Sequence, residues 1–157
     1  MLTPLNLPQV KLKLTRKGDQ VYVWDDFRMK QFQLTPEEWV RQHFLHYLVN
    51  NKQVPKNLIA VEQAIQVNKL SRRCDAVVYN RTGNPVAIIE CKAPEVKLSA
   101  QTMQQIAQYN FELRVNWLIL TNGMQTVVAF INSATKTIDY LEEIPPFEEW
   151  SANGEMK

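Results

Sequence analysis

The sequences CDAVVY at residues 74–79 and VAIIECK at residues 86–92 decide the fold. Between these two apolar runs lies Arg81-Thr82-Gly83-Asn84, a stretch rich in residues that favour turns. Two short apolar segments on either side of such a turn predict a β-hairpin. Because both faces of the two strands are apolar near the turn, we expect them to lie centrally in a sheet, with helices covering each side.

Three charged residues lie at the end of this hairpin that is far from the turn. If Thr82-Gly83 is the centre of the turn, Asp75 faces Glu90 across the ladder, and Lys92 points to the same side as Glu90. Charge in such a buried place is costly unless something compensates it. A divalent cation would turn the repulsion between the carboxylates into binding, and Mg²⁺ suits one or two carboxylates. A buried ion pair without chemistry is the alternative.

The spacing of these residues resembles the PD-(D/E)xK nuclease signature in its Asp…Glu-x-Lys form. Asp75 is followed after fourteen residues by Glu90-Cys91-Lys92, and Cys74 stands where the name-giving motif has proline. Downstream, QIAQY at residues 105–109 is similar to the Q-x-x-x-Y motif of RecB-like members. Over roughly residues 36–130 the chain resembles the N-terminal nuclease domain of the R subunit of type I restriction enzymes.

This resemblance implies a Mg²⁺-dependent DNA endonuclease domain that hydrolyses phosphodiester bonds, with Mn²⁺ able to substitute for Mg²⁺. Asp75 and Glu90 would hold the metal together with the main chain of Cys91, and Lys92 would be catalytic. In such enzymes the domain works with motor, methylase and specificity subunits. Those subunits are therefore candidate partners of this chain, in addition to DNA.

Two helices supply further candidate site residues. By the same resemblance, Gln105 and Tyr109 would support the site or contact DNA, and their spacing places them on one helix face. On the first helix, Thr35 is a candidate N-cap, Pro36 stands at the first helical position, and Glu38 completes a T-x-x-E capping box. Many such nucleases take an extra acidic ligand from their first helix. Glu38 is therefore either a metal ligand or a helix cap.

The distribution of charge along the sequence indicates more about a possible nucleic-acid partner than the net charge of +2 does. Residues 1–100 contain 15 Lys and Arg against 9 Asp and Glu, whereas the remaining 57 residues contain 3 against 7. Lys69, Arg72 and Arg73 lead directly into Asp75, and this cluster could neutralise DNA phosphates beside the metal. A merely solvated start of a strand would explain the same three residues.

The pattern along the chain predicts the elements around the hairpin. A first helix is expected from Pro36 to about Asn50 and a second from about Ser99 to Glu112. The expected strands, besides the hairpin, are 58–67, 117–120, 126–130 and 137–141. The order α-β-β-β-α-β matches a restriction-endonuclease-like core of the α/β class, in which a central mixed β-sheet is flanked by helices. Val10–Leu14 and Gln20–Trp24 predict an N-terminal β-hairpin extension.

Length and composition favour a single domain. We expect an N-terminal β extension at 1–34, the core at 35–141 and an acidic tail at 142–157. The tail contains Glu142, Glu143, Glu148, Glu149 and Glu155, and is expected at the surface or without order. No stretch reaches the roughly 18 apolar residues of a membrane span, and no signal peptide is predicted, which favours a cytoplasmic protein.

Two further alternatives remain open. Cys74 and Cys91 face each other in the same register, on the side opposite the charged residues, so a cross-strand disulfide or two buried free thiols would fit. The fold could also serve as a nucleic-acid-binding or partner-docking module with little or no cleavage of its own. No Walker A sequence occurs in these 157 residues. The sequence therefore fits either a stand-alone relative or part of a larger enzyme.

Overall fold

The N-terminal extension is a small antiparallel sheet. A computed structural model describes residues 2–67 and 69–150 of the chain. In it, β1 (Leu14–Lys17), β2 (Gln20–Asp25) and β3 (Lys30–Gln33) pair in that order. The predicted N-terminal β-hairpin extension is confirmed, but its first strand begins at Leu14 and not at Val10, and β3 adds a third strand. The tight turn after Lys17 pairs that residue with Gln20, so the ladder extends back only to Leu14.

The main sheet has six strands in the order β4-β5-β6-β7-β8-β9. Their bounds are Ile59–Val67, Leu70–Tyr79, Pro85–Cys91, Trp117–Thr121, Thr126–Asn132 and Thr137–Leu141. All neighbours pair antiparallel except β6 and β7, which are parallel and are joined through α2 (Ala100–Leu113). A parallel pair needs such a crossover connection. The sheet is therefore mixed, and the predicted order α-β-β-β-α-β is confirmed, with α1 (Pro36–Lys52) preceding β4.

Each helix covers its own face of the main sheet. Val40, Phe44 and Leu48 of α1 pack with one set of strand side chains, and Met103 and Ile106 of α2 pack with the other set. Alternate residues of β5 supply the two layers, because successive strand residues point to opposite faces. Both faces of the central strands are thus buried, as the apolar runs predict. No helix in the described part of the chain has both the length and the apolar character to cross a bilayer.

The hairpin of β5 and β6 has the predicted register at the end where the charged residues lie. Ala76 pairs with Ile89 and Val77 with Ile88, and one further step along the ladder brings Asp75 level with Glu90. The turn itself differs from the prediction, because Arg81–Gly83 form a three-residue loop with Gly83 at φ 87°. A register shift between Val78 and Tyr79 absorbs the extra residue and restores the predicted pairing.

The two cysteines do not face each other, so that prediction was wrong. Both are free and buried, but Cys74 packs on the α2 side of the sheet and Cys91 on the α1 side. The alternation of side chains along β5 is broken between Cys74 and Ala76, which lies on the α1 side. On the neighbouring strand, Glu62 has a left-handed φ of 52° at the same level. This irregularity turns Cys74 away from Cys91.

The segment after β9 packs against the domain more closely than the predicted acidic tail would. Glu142, Glu143 and Glu148 are exposed, as expected. The apolar Ile144 and Trp150 are nevertheless buried in the α1-side core, where Trp150 stacks on Trp117 with ring centroids 6.3 Å apart. The chain therefore remains part of the domain up to residue 150. Glu155 lies outside the described residues.

Candidate active site

The carboxyl groups of Asp75 and Glu90 meet at the end of the central hairpin. The Glu90 side chain is 9% exposed and that of Asp75 is 23% exposed. Burial, followed by the negative charge of Asp75 within hydrogen-bonding reach, raises the pKa of Glu90 to about 8. Two carboxyl groups this close resist being ionised together. The convergence of charge that the sequence predicts is therefore present.

Asp75 is held by the main chain of β6 and by the first helix. The Cys91 N–H donates a hydrogen bond of 2.7 Å to Asp75 Oδ2. On the other side, Arg41 Nη2 of α1 lies 3.5 Å from Asp75 Oδ1. The metal contact predicted from the sequence is the Cys91 carbonyl oxygen, whereas the contact made with Asp75 comes from the Cys91 N–H.

Glu90 is held differently, by a side chain of its neighbouring strand. Arg72 Nη2 lies 2.7 Å from Glu90 Oε1, but the contact lacks hydrogen-bond geometry. Among the described residues, no donor is aligned with this buried oxygen. A buried oxygen of a charged group without an aligned donor is costly, so a ligand that bound this atom with better geometry than Arg72 would be favoured.

Lys92 lies at the same end of the hairpin and is half-buried. Its main-chain N–H donates a hydrogen bond to the Thr121 carbonyl at 2.8 Å, which continues the pairing of β6 with β7. Its positive charge partly offsets the rise in pKa that burial causes at Glu90 and at Glu37. Within the described residues its ammonium group makes no ion pair, so it is available to a ligand.

Tyr109 and Gln105 lie on the face of α2 that is turned to solvent. The Tyr109 ring stacks against the Arg72 guanidinium, with 4.7 Å between the ring centroid and Cζ, so Tyr109 reaches the site through Arg72. Gln105 is exposed one turn earlier on the helix. Tyr109 is therefore connected to the site through Arg72, whereas Gln105 shares its exposed helix face.

Glu38 belongs to an ion-pair network beside the site. Its main-chain N–H donates to Thr35 Oγ1 at 3.0 Å, which confirms Thr35 as the N-cap. Its carboxylate does not complete a capping box. It accepts instead from Arg28 Nη2 at 2.6 Å, Arg41 Nη1 at 3.1 Å and Gln42 Nε2 at 3.2 Å. Glu38 therefore acts on Asp75 through Arg41.

Arg41 is the residue of this network that the sequence did not reveal. It lies within 3.7 Å of carboxylate oxygens of Glu37, Glu38, Glu62 and Asp75, and its side chain is 6% exposed. Burial disfavours its charge, but the carboxylates, Glu38 foremost, outweigh burial and raise the pKa of Arg41 further. The only sequence signal is a charged residue three positions after Glu38, on the buried face of the helix.

The three basic residues expected to bind DNA separate into two kinds. Lys69 is exposed, and Arg73 is 70% exposed while pairing with Glu62 at 3.2 Å. Arg72, by contrast, is 16% exposed and faces Glu90. Lys69 and Arg73 are thus open to a polyanion, whereas Arg72 already has an acidic partner.

The donor atoms of this site fit a hard divalent cation. Asp75 and Glu90 offer two adjacent carboxylates, and Glu90 Oε1 is the buried oxygen without an aligned donor. Within the described residues there is no group of three or more His, Cys, Asp or Glu side chains that would form a complete metal cage. Mg²⁺ is commonly bound by one or two carboxylates while it retains water and substrate phosphate. The two carboxylates suit that pattern.

Comparison with known proteins gives the family. The family described as the type I restriction enzyme R protein N terminus matches residues 36–145, which is 110 of the 157 residues. The chain belongs to this family. The match includes α1, the hairpin with Asp75 and Glu90, and α2. No curated protein matches the chain.

The fold of this R-protein N-terminal domain is similar to a solved structure. That structure is a fragment assigned as the HsdR subunit of a type I restriction enzyme from Vibrio vulnificus YJ016. The TM-score is 0.53 at 18% sequence identity, and the match covers 74% of this chain and 24% of the other. At this identity the likeness shows the fold. The match spans about a quarter of the length of the Vibrio fragment.

Proposed function

We propose that this domain is a Mg²⁺-dependent DNA endonuclease of the PD-(D/E)xK kind, acting within a type I restriction system. The observation that carries the proposal is the pair of adjacent carboxyl groups, Asp75 and Glu90, with an unaligned buried oxygen on Glu90 and the free ammonium of Lys92 at the same end of the hairpin. Membership in the R-protein family supports DNA as the substrate.

Asp75 and Glu90 would hold the cation, with the main chain of Cys91 beside them. When bound, Mg²⁺ supplies Lewis-acid polarisation of the phosphate and a more acidic water. Lys92 would orient the attacking water, or donate a hydrogen bond to the phosphate oxygens as negative charge grows there. The Cys91 N–H and Arg41 keep Asp75 in place for this task, since both contact its carboxylate.

The exposed cations Lys69 and Arg73 would bind the DNA backbone. Such contacts are sequence-independent and weaken as salt concentration rises, because they depend on release of counterions. Gln105 and Tyr109, on the exposed face of α2, would border the DNA path. In the assembled enzyme, the motor, methylase and specificity subunits would bring DNA to this domain.

Cleavage of supercoiled plasmid tests the proposal directly. Mg²⁺ or Mn²⁺ should support nicking, and chelation with EDTA should abolish it. Lys92→Ala should lower the rate by about 10²-fold or more, the scale typical of losing one group that stabilises the transition state. Lys97→Ala is the matched control, because Lys97 is an exposed lysine five residues downstream. If cleavage survives both chelation and Lys92→Ala, the assigned roles are wrong.

A second candidate function is DNA binding or partner docking without cleavage by the isolated domain. Two observations favour it. The matched region is 24% of the Vibrio fragment, and Arg72 already neutralises Glu90 in this structure. The candidate predicts Mn²⁺ binding and salt-sensitive DNA binding with no nicking at any metal concentration. Addition of the remaining subunits would then be required for activity.

A further inference from the structure

Arg72 differs from its neighbour Arg73 in a way that the charge pattern does not reveal. The Arg73 side chain is 70% exposed and pairs with the half-exposed Glu62. The Arg72 side chain is 16% exposed, and its Nη2 lies 2.7 Å from Glu90 Oε1. Its guanidinium is also stacked on the Tyr109 ring. One of the two arginines therefore occupies the carboxylate oxygen that a cation would need.

We propose that Arg72 is a built-in competitor for the metal, which neutralises Glu90 until DNA draws the guanidinium away. The inference rests on the proposed function, since it concerns the same carboxylate. In the metal-free domain, Arg72 occupies Glu90 Oε1 and the ring of Tyr109 keeps it there. When DNA binds, a backbone phosphate takes the guanidinium, and Glu90 becomes available to the cation.

The physical basis is an exchange of partners. A guanidinium and a divalent cation cannot both contact Glu90 Oε1 closely, because their positive charges repel each other. Phosphate is a good alternative partner for Arg72, since the guanidinium fork binds it in a bidentate manner. The contact that Arg72 gives up at Glu90 lacks hydrogen-bond geometry, which makes it easier to exchange.

The exchange has a thermodynamic consequence. If DNA relieves the competition at Glu90, DNA strengthens metal binding, and by linkage the metal strengthens DNA binding by the same factor. The isolated domain would then bind Mg²⁺ weakly away from DNA. This coupling would restrict cleavage to domains that already hold the backbone.

Metal affinity of the domain without DNA is the first readout. Free Mn²⁺ would be followed by electron paramagnetic resonance at about pH 8.5, where proton competition for the carboxylates is reduced. Arg72→Gln should tighten Mn²⁺ binding about fivefold or more, within the range of linked sites. Arg73→Gln removes the same charge from the next residue, and screening at that exposed position should keep its affinity within about twofold of wild type.

The Tyr109 variants make the same test without changing charge. Tyr109→Leu removes the ring that holds Arg72 and should also tighten Mn²⁺ binding, whereas Tyr109→Phe keeps the ring and should match wild type. These two variants test the competitor role of Arg72 even if Arg72→Gln fails to fold. DNA affinity, measured by fluorescence anisotropy on a phosphorothioate duplex that resists cleavage, should rise with Mn²⁺ in wild type and rise less in Tyr109→Leu.

The outcomes separate the competitor role from the proposed function. Equal or weaker Mn²⁺ binding by both Arg72→Gln and Tyr109→Leu overturns the competitor role. The same holds if Arg73→Gln tightens binding as much as Arg72→Gln, because the effect would then be general electrostatics. If wild type binds Mn²⁺ and Glu90→Gln weakens it, the metal site stands whichever way Arg72 behaves. If neither wild type nor Arg72→Gln binds Mn²⁺, with or without DNA, the competitor role and the proposed function fail together.

Discussion

Asp75 and Glu90 are neighbouring carboxylates, yet the protein fixes them with different kinds of contact. Asp75 accepts an aligned hydrogen bond from the Cys91 N–H and contacts Arg41, which is itself fixed by Glu38 and Glu62. Glu90 has one ionic contact, to Arg72, without hydrogen-bond geometry, and its pKa is raised by burial. The α1 side is therefore a connected network, whereas the α2 side depends on a single contact.

This contrast suggests different tasks for the two carboxylates. Asp75 is arranged in advance, since its partners come from the main chain and from a buried network. Glu90 has a partner that can leave, so its availability can change with the ligand. The comparison therefore predicts that substitutions on the α1 side lower the free energy of unfolding, and that substitutions on the α2 side change metal binding.

The largest expected effect is the loss of Arg41. Arg41→Gln should lower the free energy of unfolding by about 3–5 kcal/mol, because removing one member of a buried ionic network leaves the others uncompensated. Arg72→Gln should cost only about 1–2 kcal/mol, as expected for a single charged contact. Urea denaturation would measure both, with Arg73→Gln as the exposed control. Equal losses of unfolding free energy in Arg41→Gln and Arg72→Gln would contradict the contrast between the α1 side and the α2 side.

Asp25 gives the α1 side a pH dependence. Burial alone would raise the pKa of this carboxyl, but hydrogen bonds from Arg28 and from the main chain of Phe27 and Arg28 lower it below the ordinary 3.8. A lowered pKa in the folded state means that the stabilisation is complete above pH 3.8 and is lost as pH falls through the lower, folded value.

The test is Asp25→Asn. This variant should lose about 2–3 kcal/mol at neutral pH, since the hydrogen bonds it weakens are charge-assisted. Its stability should also vary less than that of wild type on acidification below the ordinary pKa of aspartate. Thermal unfolding followed by circular dichroism over a pH series would measure both effects. Parallel pH profiles for the two proteins would show that Asp25 does not set the acid response.

Glu38 separates a structural role from a metal-binding role. Glu38→Gln should cost about 1–2 kcal/mol, because glutamine keeps the volume and can still accept hydrogen bonds from the two arginines. Mn²⁺ affinity should fall less than in Glu90→Gln, since Glu38 contacts Arg41 and not the two metal-binding carboxylates. Loss of Mn²⁺ binding comparable to that of Glu90→Gln would instead make Glu38 a ligand.

The smallest effect concerns the thiols, one on each side of the sheet. Burial raises the pKa of Cys74 to about 11 and that of Cys91 well above its usual value. At about pH 8, the thiolate fraction of Cys74 is therefore about a hundredfold lower than that of a thiol with the ordinary pKa. Labelling by Ellman's reagent should be slow until the protein unfolds. Mild oxidation should not change the stability of the folded protein. Formation of an intramolecular disulfide in the folded protein would contradict the placement of Cys74 and Cys91 on opposite faces.

Much of the fold could be predicted from the sequence because its signals are local. Apolar runs of strand length, a Gly-containing turn and a capped helix predict the order of elements, and the register set by the turn puts Asp75 level with Glu90. Glu90 and Lys92 of the E-x-K motif lie at the end of the hairpin, and Tyr109 of the Q-x-x-x-Y motif contacts Arg72. The turn loop was wrong by one residue, yet the register shift after Val78 restored the pairing.

The partners of the two carboxylates could not be predicted, because they come from distant parts of the chain. Arg41 and Glu62 reach the site only through tertiary packing, and Arg28 arrives from the N-terminal sheet. Glu62 also breaks regular strand geometry with its φ of 52°, at the level where the alternation along β5 breaks and leaves Cys74 on the α2 side. The sequence predicts Arg72 as a DNA contact but does not reveal its contact with Glu90, because charge alone does not indicate which partner a side chain will find.

The central claim is that Asp75 and Glu90 together form a binding site for a hard cation. Crystals soaked in Mn²⁺ and measured at its absorption edge test this most directly. The account predicts one anomalous peak in contact with oxygens of both carboxylates, with the Arg72 guanidinium moved away from Glu90. Soaked crystals without a peak there, or with the metal bound elsewhere on the domain, would contradict it.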